Sequence, residues 1–143
     1  MARYCAFGNG QLATAVSAEP TWVLAPTPDS FYYVDENELC LVSNGHVYGL
    51  GHDCFNGELA GGPHGIVYSI CDWGMCRVNA RSYRQIFKMQ SRIDGDFAAP
   101  LGMAVSPLGT IYVSYGDQSG GRAGILRLSS TGNPSVVVDS VHS

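Results

Sequence analysis

The chain has 143 residues, 45% of them hydrophobic and only 14% charged, with 18 glycines, 7 prolines and a formal net charge of −4. So low a charged fraction, joined to many β-branched and aromatic residues, excludes a disordered chain, and the length supports one compact domain or a few small units in series. The longest apolar stretches, such as Val136 to Val138 and Phe97 to Ala99, fall far short of the roughly 20 residues that span a bilayer, so no transmembrane segment and no membrane partner are expected.

Met1 to Gly10 carry one base, Arg3, with no apolar core behind it, so no secretory signal is expected in the chain as given. Arg3-Tyr-Cys-Ala-Phe7 and Gln11-Leu-Ala-Thr-Ala-Val16 read as the second and third strands of a four-stranded unit that lacks its first. Pro20-Thr-Trp-Val-Leu-Ala-Pro-Thr-Pro-Asp-Ser-Phe-Tyr-Tyr-Val-Asp35 then reads as strand, tight turn and aromatic-rich strand, followed by strands at Glu38 to Val42 and Gly45 to Gly49. The same order returns in Gly57 to Cys71, with Gly65 in the place of Asp29 and Val67-Tyr68 in the place of Phe31-Tyr32; Met75 to Val78 and Tyr83 to Phe87 complete it. A third copy, Pro100-Leu-Gly-Met-Ala-Val-Ser-Pro-Leu-Gly-Thr-Ile-Tyr-Val-Ser-Tyr115, lies over residues 20–35 without a gap and leads into Ile125 to Leu128 and Ser135 to Asp139.

Four strands recurring roughly every 40 residues is the period of a propeller blade. The expected fold is all-β, a single domain over residues 1–143 of β-propeller-type four-stranded blades, about three and a half to four per chain, divided near 1–19, 20–55, 56–99 and 100–143. Trp22, Tyr32, Tyr33, Tyr68, Trp73, Tyr112 and Tyr115 are expected to pack between blades. Because the first unit lacks a strand, the tail from Val136 to Val141 is expected to complete it, in the same chain or in a neighbour.

The segment from Pro100 to Gly116, with Gly124-Ile-Leu-Arg-Leu128 and Thr131-Gly132, resembles one repeat of the NHL and gluconolactonase-like β-propellers. The resemblance implies a propeller fold. It also implies an alternative function, since propeller lactonases hold a central metal through Glu, Asn and Asp from different blades. Glu19, Asn37, Asp53, Asp94 and Asp117 stand in turns here but fall in no metal motif of that family, and Ser114-Tyr115 replaces the Asp that usually follows the Tyr-Val strand, although Asp35 keeps it. The resemblance therefore bears on fold more than on activity.

Other constellations carry less chemistry. His46, His52, Asp53, Cys54 and His64 supply zinc-type donors at spacings that match no recognised zinc pattern, so His46, His52, Cys54 and His64 stand only as weak metal candidates. Five cysteines and no usable glycosylation sequon lean towards a reducing compartment. Cys71 and Cys76 flank the connection Asp72-Trp-Gly-Met75 and read either as a disulfide across a hairpin or as two buried thiols. No phosphate-binding loop of the Gly-x-x-x-x-Gly-Lys type and no Gly-x-Ser-x-Gly elbow is present, and no cofactor is expected.

Charge is placed unevenly. Residues 1–76 hold one base against eight acids, and residues 77–143 hold seven bases against four acids. Arg77, Arg81, Arg84, Lys88 and Arg92 concentrate the positive charge; the acidic balance of the whole chain argues for a protein partner, or another copy of the chain, over nucleic acid. The function expected is a non-enzymatic interaction or structural module acting in a larger assembly, with a virion or shell subunit as one form of it. A metal-dependent lactonase-like or carbohydrate-binding propeller, or a fragment of one, is the alternative.

Overall fold

A computed structural model describes residues 11–12, 22–35, 38–51, 55–71, 74–79, 82–88, 98–117 and 122–141. These residues form thirteen strands and one 3-10 turn, and the architecture is all-β. The first sheet contains β1 (Gln11–Leu12), β2 (Trp22–Thr27), β3 (Ser30–Asp35), β4 (Glu38–Ser43) and β5 (His46–Gly51). The second contains β6 (Phe55–Gly61), β7 (Val67–Cys71), β8 (Gly74–Asn79) and β9 (Ser82–Lys88), and the third β10 (Ala98–Val105), β11 (Ile111–Asp117), β12 (Arg122–Leu128) and β13 (Pro134–Val141).

Each sheet is an antiparallel meander: four consecutive strands pair in chain order, β2 to β5, β6 to β9 and β10 to β13. The strand-forming stretches are rich in Val, Ile, Tyr and Phe, which suit a pleated surface, and short turns reverse the chain between them. Asn44 and Gly45, both at positive φ (51° and 76°), make the two-residue turn between β4 and β5 that a type I′ hairpin requires. The third sheet uses one turn design twice. In Ser106–Thr110 and Ser129–Asn133 the fourth residue is a glycine at positive φ (Gly109 at 87°, Gly132 at 92°). In both, the serine hydroxyl accepts from the backbone N–H four residues on at 3.1 Å. The loop from Gly62 to Ile66, which contains the 3-10 turn at Pro63–Gly65, closes in a related way, with Gly62 N–H donating to the Ile66 carbonyl at 2.7 Å.

The sheets stack face to face, with β6 of the second against β2 of the first and β10 of the third. Alternation along each strand decides which side chain enters which interface. Tyr32, Val34, Leu39 and Leu41 of the first sheet meet Leu59, Val67, Cys71, Cys76 and Val78 of the second. Tyr68, Ile70 and Met75, from the opposite face of the second sheet, meet Ile111, Val113, Tyr115, Leu126 and Leu128 of the third. The second sheet is therefore packed on both sides at β7, every residue of which is buried, whereas its edge strand β9 is largely exposed. The remaining face of the first sheet also holds a buried cluster, Tyr33, Cys40, Val42 and Val47, with Phe31 packed against it.

Two expectations about the chain's ends change. Gln11–Leu12 pairs with His46–Val47 of β5 as a fifth strand of the first sheet, so the described part of the expected Gln11 to Val16 strand extends that sheet's outer edge; Arg3 to Phe7 lie outside the described residues. The tail, Pro134–Val141, pairs with β12 as the fourth strand of the third sheet and completes no other sheet among the described residues.

Candidate functional site

His46 opens β5, and its Nδ1 lies 2.9 Å from the Asn44 carbonyl, which accepts from the ring only when Nδ1 carries the proton. His64 sits exposed in the Pro63–Gly65 turn of the second sheet, at φ 60°. The two belong to different sheets, and His52 and Cys54 lie outside the described residues. Among the described residues no group of three or more His, Cys, Asp or Glu side chains is placed to hold a metal.

Cys71 and Cys76 are joined as a disulfide, with Cα atoms 5.9 Å apart. Register explains the contact: Cys71 stands opposite Gly74 and Cys76 opposite Ser69, which puts both sulfurs on the face that packs on the first sheet. β8 begins at Gly74, so the connection is Asp72-Trp73, shorter than the four residues read from the sequence. Cys40 is disulfide-bonded as well. Disulfides form in oxidising surroundings, which runs against the leaning towards a reducing compartment.

The basic cluster divides. Arg77 on β8 stands directly opposite Arg84 on β9, while Lys88 pairs opposite Gly74 at the far end of the same hairpin. Arg81 and Arg92 lie outside the described residues. At the acidic end of the molecule, Asp35 and Glu38 face each other across the β3–β4 pair and both are buried. Burial pushes the Tyr33 phenol up, and the two neighbouring carboxylates add to the shift; burial alone raises Tyr32.

Of the aromatic side chains expected between sheets, Tyr32, Tyr68 and Tyr115 are buried there, whereas Tyr33 is buried on the other face of the first sheet. Trp73 lies outside the described residues. Trp22 and Tyr112 depart from the expectation, being 43% and 37% exposed. Tyr112 points away from the second sheet because it alternates with Ile111 and Val113, which fill the core. It marks the outer face of the third sheet, where register sets Ala104, Tyr112, Arg127 and Ser135 side by side and places Ile125 beside Val138. Ala104, Tyr112, Arg127, Ser135 and Val138 are all exposed.

A groove of about 370 Å³ opens on this part of the sheet, lined by Thr110, Tyr112, Arg127, Leu128, Ser129, Asn133, Pro134 and Ser135. The Arg127 Nε donates to the Ser135 hydroxyl at 3.3 Å and that hydroxyl donates to the Arg127 carbonyl at 3.4 Å, so the guanidinium is tied across to β13. The site offers an aromatic ring, a cation and hydroxyls, which suits non-covalent contact; among the described residues its lining contains no Asp, Glu, His or Cys for acid–base or nucleophilic work. The sequence pattern does not single out this face: Ile111-Tyr-Val-Ser-Tyr115 and Val67-Tyr-Ser-Ile-Cys71 of β7 both mix apolar and polar residues. No protein-family model matches the chain, and no curated protein matches it.

Proposed function

We propose that the three sheets are propeller-type blades and that the chain is a non-catalytic interaction module that works in a larger assembly, its third sheet receiving a neighbouring copy. The observation that carries this reading is the unequal covering of equivalent strands: β7 of the second sheet is buried on both faces, whereas the outer face of the third sheet presents Tyr112, Arg127 and Val138 to solvent. A sheet face with a large aromatic and an arginine has the composition of an interface core. The stacking of β2, β6 and β10 along one inner side supports the blade reading, because blades meet at their first strands around an axis.

Charge supports a copy of the same chain as the neighbour. The open face belongs to the half with seven bases and four acids, and the first sheet to the half with one base and eight acids, so head-to-tail contact brings unlike charge together. A composition with only 14% charged residues suits a particle or shell built from many such contacts.

Light scattering on the native protein tests the reading. The expected mass is a multiple of 15.3 kDa, and Tyr112→Glu combined with Val138→Glu is expected to shift it to the single-chain value while the β-sheet circular dichroism is retained. A wild-type protein that stays at 15.3 kDa over a wide concentration range overturns it.

A further inference from the structure

We propose that the β8–β9 hairpin carries a binding pocket for a phosphoryl group, built by Arg77 and Arg84. The two arginines are directly opposed in the β8–β9 register, and opposed residues of an antiparallel pair project on the same side of the sheet. Both line a pocket of about 170 Å³, together with Asn79, Ser82 and Tyr83. Arg77 is half-buried and Arg84 exposed.

Like charges directly opposite each other on paired strands are destabilising. The usual remedy is a carboxylate between them, but among the described residues the pocket lining contains no acidic one, and neither guanidinium makes a hydrogen bond or ion pair among them. Two guanidinium groups offer donors only, in a planar fork that matches the oxygens of phosphate or carboxylate. The Asn79 side-chain amide adds donors of the same sense. Ser82 is already committed, its hydroxyl donating to the Asn79 carbonyl at 3.1 Å, a bond between the two residues that flank the β8–β9 turn.

Charge and size choose among oxyanions. A phosphoryl group carries about −1.5 to −2 at pH 7 and neutralises the pair, whereas a carboxylate neutralises only one of its members. The volume of about 170 Å³ lies below the roughly 300 Å³ at which pockets for whole small molecules begin, so the pocket takes a single group with its water. Lys88, opposite Gly74, belongs to the other end of the hairpin and adds nothing to it.

Calorimetric titration of the full chain with inorganic phosphate, with acetate at matched ionic strength, and with a phosphoserine peptide of uncharged flanks tests the proposal. Phosphate is expected to saturate one site and to bind at least about tenfold more tightly than acetate. Arg77→Gln and Arg84→Gln are each expected to weaken it by at least about tenfold. Melting separates binding from folding. Without phosphate both variants are expected to melt no lower than the wild type, because the like-charge contact is gone, and the rise in melting temperature that phosphate gives the wild type disappears. Should a glutamine variant fail to fold, Arg84→Lys keeps the charge without the fork and is expected to bind phosphate more weakly. Tighter binding of the peptide than of phosphate assigns the site to a phosphorylated partner, and the reverse to the free anion. Absence of saturable phosphate binding, equal binding of acetate, or unchanged binding by the arginine variants overturns the proposal.

Discussion

Glu58 is a single side chain that ties two sheets together. From β6 it reaches the third sheet, where its Oε2 accepts from the Met103 N–H at 3.0 Å. The bond is possible because β10 is the edge strand of its sheet, so the outward side of its backbone has no ladder partner there. Gly102 keeps the approach open, since a Cβ there would come within 3.3 Å of the same carboxylate oxygen. Glu58→Ala is expected to lower stability by about 1.5–3 kcal/mol, read by urea denaturation, and Glu58→Gln, which keeps an acceptor, by clearly less.

The tyrosines of β3 set an alkaline limit. Tyr32 and Tyr33 are raised above the ordinary phenol value of 10.0 by burial, and Tyr33 further by Asp35 and Glu38. A raised folded-state value means that the folded protein holds these protons where the unfolded chain has released them. The contribution is therefore full below pH 10 and is lost as pH rises through the folded-state values. Denaturant midpoints are expected to fall above about pH 10, and Tyr32→Phe with Tyr33→Phe to flatten that fall.

Among elements, the β7–β8 hairpin is the most constrained. Its disulfide links residues only five apart, and in the chain-entropy view so short a loop contributes about 2 kcal/mol. Cys71→Ser with Cys76→Ser is expected to lose at least that much at equilibrium, read by urea denaturation, because both positions are buried against the first sheet. Strand positions were legible in the sequence where pattern and turn chemistry agreed: Phe31 to Asp35, Glu38 to Val42, Val67 to Cys71 and Ile125 to Leu128 fall within or on observed strands. The β7–β8 connection was misjudged because Asp72 and Gly74 are turn-type residues that bracket Trp73. Gly74 in fact sits where β9 passes so close, at Phe87 and Lys88, that a Cβ would collide with its backbone.

At the scale of the molecule, the stacking order of the three sheets leaves one face of the third uncovered, and composition alone did not reveal it. Tyr112 and Tyr68 occupy equivalent places in the aligned sequence, yet Tyr68 is buried and Tyr112 exposed, because burial depends on which sheet is stacked next and no local residue pattern encodes that neighbour. The same limit applies to Arg77 and Arg84: their closeness in sequence was plain, but their opposition follows from the hairpin register.

The complete burial of β7 also divides the chain by its tolerance to change. Val67 through Cys71 are buried without exception, with side chains committed alternately to two cores, so neither parity of that strand offers a position where a substitution is neutral. On β13, where Val136, Val137 and Val138 are all about half exposed or more, most exchanges cost little. Sequence drift is thus channelled to the third sheet's outer side, the surface on which a change of partner would be written.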